Sequence, residues 1–260
     1  MKYPPSIFIK GITLPDAWAQ AIDEVMKRGM EIKTQYGTSS KDVCSLIEVT
    51  HPYEPPMLHP DFPTKISHTE EYLKQWLRGY DWLKQGFEYN YMDRLIHYPK
   101  GRLECDSDMI MAQHKAGKVR EGRYYNNSPD KDSNFIDQIA EIRDKINKGV
   151  SRRLQAITWH PDRDLFVKED QPCLQRLWMR NLGDGNAELH AMWRSRDLFA
   201  AWNSNMIGLL TMVNHEILEP NGIRLVKLID FCNSLHIYEA DWDAARKVRK
   251  LPVNPMLVRG

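Results

Sequence analysis

The sequence has almost no excess of either charge. Its 260 residues carry 36 Lys and Arg against 35 Asp and Glu, a formal net charge of +1. Proteins whose main partner is nucleic acid or an anionic membrane usually carry a basic excess, so we expect neither partner. No apolar run reaches the ~18 residues of a membrane span, and Pro4 and Pro5 interrupt the first apolar stretch, unlike a secretion signal. We therefore expect a soluble, cytoplasmic protein.

Cysteine is also scarce, and the few cysteines do not cluster. They lie far apart, at positions 44, 105, 173 and 232, without a Cys-x-x-Cys pair. This spacing argues against a zinc or redox site, and a disulfide framework is not expected without a secretion signal. His215-Glu216 does not begin a His-Glu-x-x-His motif, so no metal is predicted. Each cysteine is by default a small buried hydrophobe unless its neighbours give it a chemical role.

Hydrophobic residues make up 42% of the chain, enough for a sizeable core. Apolar residues at helical spacing predict helices over Thr13–Met30, Thr69–Arg78, Asn134–Lys148, Asp197 to about Pro220, and Tyr238–Lys250. Alternating apolar residues predict strands over Leu154–Trp159, Leu174–Arg180, Ala187–Trp193 and Leu225–Phe231.

The remaining segments read as connections. Prolines cluster between Thr50 and Pro63, which predicts a long surface connection, and the polar stretch His114–Ser133 reads as a loop. No linker or repeat divides the chain. We therefore predict one α+β domain over residues 1–260, with a mainly antiparallel or mixed sheet flanked by helices.

The second half of the chain concentrates residues suited to nucleotide chemistry. Arginine and serine are natural phosphate donors, asparagine suits the edge of a nucleobase, and a cysteine near arginines can act as a thiolate nucleophile. These residue types occur in Ser151-Arg152-Arg153, Pro172-Cys173, Arg194-Ser195-x-Asp197, Asn203 to Asn205 and His236-Ile237-Tyr238. Together they predict covalent chemistry on a nucleotide.

These segments closely resemble the thymidylate synthase family, especially its shorter archaeal-type members. The resemblance covers roughly residues 135–242, in the order and spacing of the family. The matching runs are Asp137-Gln138-Ile139, Ser151-Arg152-Arg153, Pro172-Cys173-Leu174-Gln175, Arg194-Ser195-Arg196-Asp197 with Asn205, and His236-Ile237-Tyr238. Each run alone is weak, but five in register are specific.

The resemblance implies a fold, a nucleophile and a reaction. The fold would be thymidylate synthase-like, with one sheet face forming a dimer interface. Cys173 would add to carbon 6 of the pyrimidine, which activates carbon 5 toward the one-carbon unit of methylenetetrahydrofolate. The reaction that this resemblance implies is reductive methylation of dUMP to dTMP.

The resemblance also implies which residues bind the nucleotide. Arg194 and Ser195 would hold the phosphate from the same chain, whereas Arg152 and Arg153 would reach it from a second subunit, giving a homodimer with two shared sites. Asn205 would hydrogen-bond the 4-carbonyl and ring N–H of uracil.

His236 and Tyr238 would hold the 3′-hydroxyl, and Asp197 would lie near the folate pterin and order water. The tail at 251–260 would close over the folate. Two assignments come from the first half of the chain: Lys33 would replace a phosphate-binding loop arginine, and Glu71, rather than Glu70, would be the catalytic glutamate.

Other interpretations remain open at the level of sequence. Arg152, Arg153 and Arg194 could lie on a solvated face, His236 could be structural, and Asn205 could cap a helix.

The segment from Gly79 to Tyr91 is too short for the tryptophan-bearing insertion of longer family members, although Trp82 could substitute. If nothing shields the methylene from water, a pyrimidine-nucleotide hydroxymethylase acting on dUMP, dCMP or CMP becomes the alternative. A non-catalytic nucleotide- or RNA-binding regulator is the rival from another class.

Overall fold

The computed structural model describes residues 3–64, 66–85, 89–99, 135–149, 151–167 and 171–259. The strands are β1 (Ser6–Gly11), β2 (Met30–Lys33), β3 (Ser39–Val49), β4 (Tyr98–Pro99), β5 (Phe135–Ile136), β6 (Leu154–Ile157), β7 (Leu174–Gly183), β8 (Asn186–Trp193), β9 (Arg196–Asp197) and β10 (Arg224–Tyr238). The α-helices are α1 (Leu14–Arg28), α2 (Ile66–Lys74), α3 (Tyr91–Ile96), α4 (Gln138–Lys145), α5 (Pro161–Asp164), α6 (Trp202–Val213) and α7 (Trp242–Ala245).

A mixed sheet organises these elements. Its strands follow the order β1-β3-β10-β8-β7-β6, with β2 beside β3 and β9 beside β10. β3 is parallel to β1, and β10 is parallel to β8 and β9, whereas the other pairs are antiparallel. The predicted α+β class with a mixed sheet is therefore confirmed.

Helix α1 shows why the N-terminal pattern forms a helix. Thr13 caps it by accepting a hydrogen bond from the Asp16 amide, and Pro15 lies in the first turn. The apolar stripe around Trp18 is fully buried, and the Trp18 indole donates to the Leu198 carbonyl at 2.7 Å. This contact joins the N-terminal helix to the segment that follows β9.

Three predicted helices are shorter in the structure. The helix at 69–78 is α2, which ends at Lys74 before turns that lead to Gly79 at φ +81°. In the helix at 134–148, Phe135 and Ile136 instead pair with β4. The closing helix at 238–250 shrinks to α7, because Tyr238 completes β10.

The last strand is longer than its prediction. It extends over 15 residues, with a register shift between Cys232 and Leu235 that interrupts the apolar alternation. The predicted loop at 114–133 lies outside the described residues, as does Cys105. None of the described helices combines the length and apolar character needed to cross a membrane.

Gly208 on α6 determines how closely the turn after α2 approaches α6. A Cβ atom at this position would lie 2.3 Å from Nε1 of Trp76, which is itself buried. We expect Gly208→Ala to lower the free energy of unfolding by about 1–3 kcal/mol, because the added methyl displaces a packed indole. Urea denaturation measures the change.

Trp76→Phe supplies the matched control for this prediction, since it removes the ring atoms that the methyl would meet. The double variant should lose less stability than the sum of the two single variants. Strict additivity would contradict the proposed contact.

Candidate active site

Cys173 lies at the start of β7, next to the first residues that follow β8. Its carbonyl accepts a hydrogen bond from the Arg194 amide at 2.8 Å. The Arg194 guanidinium donates to the Pro172 carbonyl at 3.1 Å and to the Gln171 carbonyl at 2.6 Å. A guanidinium has five N–H donors, so three remain for an anion beside the thiol.

Aromatic side chains surround this strand end. The Tyr91 hydroxyl accepts from the Leu174 amide at 3.4 Å, and the Tyr89 and Tyr91 hydroxyls are also 3.4 Å apart. The Tyr91 ring stacks on Trp76 and meets the edge of Trp193. Burial raises the pKa of both tyrosines, so both hydroxyls remain protonated at neutral pH.

Asn205 faces this aromatic group from α6. Its Nδ2 donates to the Tyr72 hydroxyl at 2.6 Å. Its neighbour Asn203 has a different role, because Oδ1 accepts from the His59 amide and Nδ2 donates to the Met57 carbonyl. Asn203 therefore ties the proline-rich connection to α6, while Asn205 remains half-buried at the site.

A second polar group lies where β9 meets β10. Asp197 is the register partner of His236, whose ring packs on Tyr238 with centroids 4.8 Å apart. Burial raises the pKa of Asp197, while hydrogen bonding from the Ala200 amide partly opposes this effect. On the other side of His236, burial likewise raises the pKa of Asp42, to which Ser234 donates a hydrogen bond.

Comparison with known proteins identifies the family. The thymidylate synthase family model matches residues 69–256, well over half of the chain. The chain belongs to the thymidylate synthase family.

Archaeal relatives named "Putative thymidylate synthase" extend the similarity over nearly the whole chain. The protein from Methanocaldococcus jannaschii is 29% identical, and the match covers 92% of this chain and 94% of the relative. For Methanopyrus kandleri the identity is 28%, with 90% and 94% covered. For Methanosarcina acetivorans it is 25%, with 96% and 97% covered.

The structure brings most of the residues implied by the thymidylate synthase resemblance to one end of the sheet. Arg194 and Ser195 follow β8 directly, next to Cys173, and Asp197, His236 and Tyr238 lie at the adjoining strand ends.

Lys33 ends β2 with an exposed side chain. Burial raises the pKa of Tyr238 at the site, and charge repulsion from Asp197 adds to this effect.

Three residues of the expected thymidylate synthase site lie apart from it. The Glu71 carboxylate is 59% exposed and pairs with Lys74 on the outer side of α2. Arg152 and Arg153 precede β6 with exposed side chains. Leu154 pairs with Met179, six residues along β7 from Cys173, or about 20 Å at 3.3 Å per strand residue. Neither arginine can therefore reach its own Cys173.

Sequence reasoning missed the tyrosines and one buried ion pair. Tyr72, Tyr89 and Tyr91 carry no family motif quoted above, although the Tyr-x-Tyr spacing at 89–91 was a visible signal. Arg196 was quoted within a motif but received no role. It pairs with fully buried Asp230, and its guanidinium lies 3.7 Å from the centroid of Trp193.

Removing the Asp230 charge tests how strongly the site depends on this pair. We expect Asp230→Asn to lower the free energy of unfolding by about 3–5 kcal/mol, because it leaves the Arg196 charge buried without a counter-ion. The measurement is urea denaturation. Asp243→Asn is the control, since its pair with Arg246 is exposed and should change stability by less than about 1 kcal/mol. Equal effects of both substitutions would contradict the prediction.

Proposed function

We propose that this protein methylates carbon 5 of dUMP to give dTMP, using methylenetetrahydrofolate and a covalent bond from Cys173 to the pyrimidine. The observation that supports this proposal is the position of the Arg194 guanidinium, which donates hydrogen bonds to the two backbone carbonyls that precede Cys173. This arrangement puts a fixed positive charge beside the nucleophile and leaves donors for a phosphate. A nucleotide anchored by its phosphate at Arg194 and Ser195 would present its base to the neighbouring residues.

The chemistry follows from what each side chain can do. The Cys173 sulfur bonds to carbon 6 as a thiolate, and the π electrons of the 5,6 double bond move toward carbon 5 and the 4-oxygen. After carbon 5 has gained the one-carbon unit and lost its proton to a base, the sulfur leaves carbon 6 and the 5,6 double bond forms again. Asn205 faces the base, while His236 and Tyr238 hold the 3′-hydroxyl. Asp197, with its raised pKa, can hold or release a proton nearer to neutrality than an ordinary aspartate. Orientation and charge placement are the contributions of the protein.

The residues at the β9–β10 end suit the folate. Asp197 is half-buried and offers carboxylate oxygens to the amino-pyrimidinone edge of a pterin. Trp82, between α2 and α3, is also half-buried and is the aromatic residue that we propose to cover the folate. The exposed segment at 251–257 follows close to this region in the chain. When bound, methylenetetrahydrofolate supplies the one-carbon unit and, in methylation, the hydride.

The assembly that we propose is a homodimer through the outer face of the sheet. Phe8 and Met192 are 63% and 38% exposed on this face. Together with half-buried Leu46 and Phe231 they form one row of paired residues across β1, β3, β10 and β8. A contiguous apolar row of this kind is typical of an interface. A second copy would also explain Arg152 and Arg153, which lie too far from Cys173 of their own chain.

We further propose that residues 1–260 act as one catalytic domain in the cytoplasm. The described core supports one domain, because β1 and β3 share their sheet with β10 and α1 bonds to Leu198. The cytoplasmic location stays a prediction from the sequence.

The product of the reaction tests the proposed function. Purified protein is incubated with methylenetetrahydrofolate and equimolar dUMP, dCMP and CMP, and the nucleotides are analysed by mass spectrometry. We expect dTMP with an equal amount of dihydrofolate, and a loss of at least about 1,000-fold in Cys173→Ala, because the covalent step is removed. Ser195→Ala, which keeps the thiol, should retain measurable turnover.

Three other results would contradict this proposal in different ways. A hydroxymethylated product without dihydrofolate would indicate a hydroxymethylase. Binding without turnover would favour a nucleotide-binding regulator. Full activity of Cys173→Ala would exclude both enzymatic interpretations.

Mixing two inactive variants tests the shared sites. Cys173→Ala and the double variant Arg152→Ala/Arg153→Ala are unfolded together and refolded. Random pairing gives one intact site in half of the dimers, so we expect about a quarter of the wild-type activity.

The control mixture pairs Cys173→Ala with Arg194→Ala. Both residues belong to the same half-site in our proposal, so no heterodimer has an intact site and activity should not return. Equal recovery in the two mixtures would contradict the assignment of Arg152 and Arg153 to the opposite site.

A further inference from the structure

Tyr72 lies on the side of α2 that faces the site, one residue from the exposed Glu71. Its hydroxyl accepts a hydrogen bond from Nδ2 of Asn205 at 2.6 Å. Both side chains are only partly buried, so each keeps a surface that a ligand can reach. The residue expected to face the base is therefore already bound to a tyrosine.

An aromatic chain connects this tyrosine with the nucleophile. The Tyr72 ring meets Trp76 edge to face, with centroids 6.4 Å apart, and Trp76 stacks on Tyr91 at 5.3 Å. The Tyr91 hydroxyl in turn accepts from the amide of Leu174, directly after Cys173. Tyr72 and Cys173 therefore lie at opposite ends of one continuous series of side-chain contacts.

The hydrogen bonds that the Tyr72 hydroxyl already makes determine which further hydrogen bond it can form. A tyrosine hydroxyl accepts at two positions and donates once. Burial raises the pKa of Tyr72 to about 12, and polar contacts with Trp76 and Asn205 oppose this effect only in part. The oxygen therefore already accepts from Asn205 and keeps its proton at neutral pH. Among the described residues, none accepts that proton in a hydrogen bond.

We propose that Tyr72 donates this hydrogen bond to the 4-oxygen of the pyrimidine and, together with Asn205, selects uracil over cytosine. Since Nδ2 of Asn205 is engaged by Tyr72, Oδ1 is the atom that can accept the ring N–H. Uracil offers an acceptor at position 4 and a donor at nitrogen 3, which complements this pair. Cytosine offers the reverse at both positions.

The same hydrogen bond would assist the covalent step. When the Cys173 sulfur bonds to carbon 6, electron density from the 5,6 double bond spreads onto the 4-oxygen. A donor fixed at that oxygen stabilises the developing charge. This inference rests on the proposed function, because it assumes a pyrimidine nucleotide bound beside Cys173.

The test compares Tyr72→Phe with wild type for dUMP and dCMP. Dissociation constants are measured by titration calorimetry, and dUMP turnover by dihydrofolate formation. We expect dUMP binding to weaken about 10-fold and kcat/KM to fall about 10- to 100-fold, because a hydrogen bond to a developing charge is lost. Binding of dCMP should change by less than about 2-fold, because the 4-amino group of cytosine cannot accept the hydrogen bond from Tyr72. The preference for dUMP should therefore shrink.

Tyr53→Phe is the matched control. Its hydroxyl donates a hydrogen bond to the Leu210 carbonyl at 2.8 Å. Leu210 lies on α6, as Asn205 does, but is buried in the core. We expect it to lower stability while leaving the dUMP preference unchanged. Circular dichroism verifies that both phenylalanine variants are folded.

The outcomes separate this inference from the function on which it rests. If wild type forms dTMP but Tyr72→Phe keeps the full dUMP preference, the Tyr72 assignment alone is overturned. If wild type prefers dCMP, the amide of Asn205 has the opposite orientation, and the inference is again overturned. If wild type binds neither nucleotide, the proposed function fails as well.

Discussion

The buried ion pair between Arg196 and Asp230 is the constraint on which the site end of the sheet depends. Asp230 accepts hydrogen bonds from Arg196 and, at 2.8 Å, from the Trp202 indole, so it joins three segments of the chain. The Arg196 guanidinium also covers Trp193. Because a buried charge without its partner is costly, these segments can adopt few alternative positions. Arg194, Ser195 and Asp197 are thereby held within the same short stretch around Arg196.

That constraint extends from structure to chemistry. Trp202 begins α6, so the pair that fixes the end of β8 also fixes the helix that carries Asn205. Arg194 in turn binds the backbone before Cys173. The proposed phosphate donors, the proposed nucleophile and the Asn205 amide are therefore positioned through a connected set of contacts. Such preorganisation is what a covalent reaction on a bound nucleotide requires.

Much of the fold was predictable from the sequence, because local patterns agreed with burial. Thr13 and Pro15 mark the start of α1, and the alternation before Trp193 marks β8. The patterns failed where tertiary pairing overrides local preference. Phe135 continues a helical spacing but pairs with Pro99, and β10 crosses a polar stretch at Asn233 that breaks its alternation.

Residues of the candidate site could be singled out in the sequence where a residue type carries its own chemistry. Cys173 and Arg194 are conspicuous in sequence, and the structure puts them in hydrogen-bond contact through the backbone. Tyr72 was not conspicuous, because an aromatic residue on a helix normally indicates core packing. Which of Glu71 and Tyr72 faces the site depends on the rotation of α2, about 100° per residue, and no residue type alone reports that rotation.

Packing at Gly208 positions the segment that follows α2. A side chain there would collide with Trp76, so glycine allows the indole to rest directly on α6. Trp76 lies in the turns after α2, and its indole meets the Tyr72 ring edge to face. Once Trp76 rests on α6, the Tyr72 hydroxyl meets Asn205 and the Glu71 carboxylate turns outward to Lys74. The glycine on α6 thus allows the close packing beside which Tyr72, rather than Glu71, contacts Asn205.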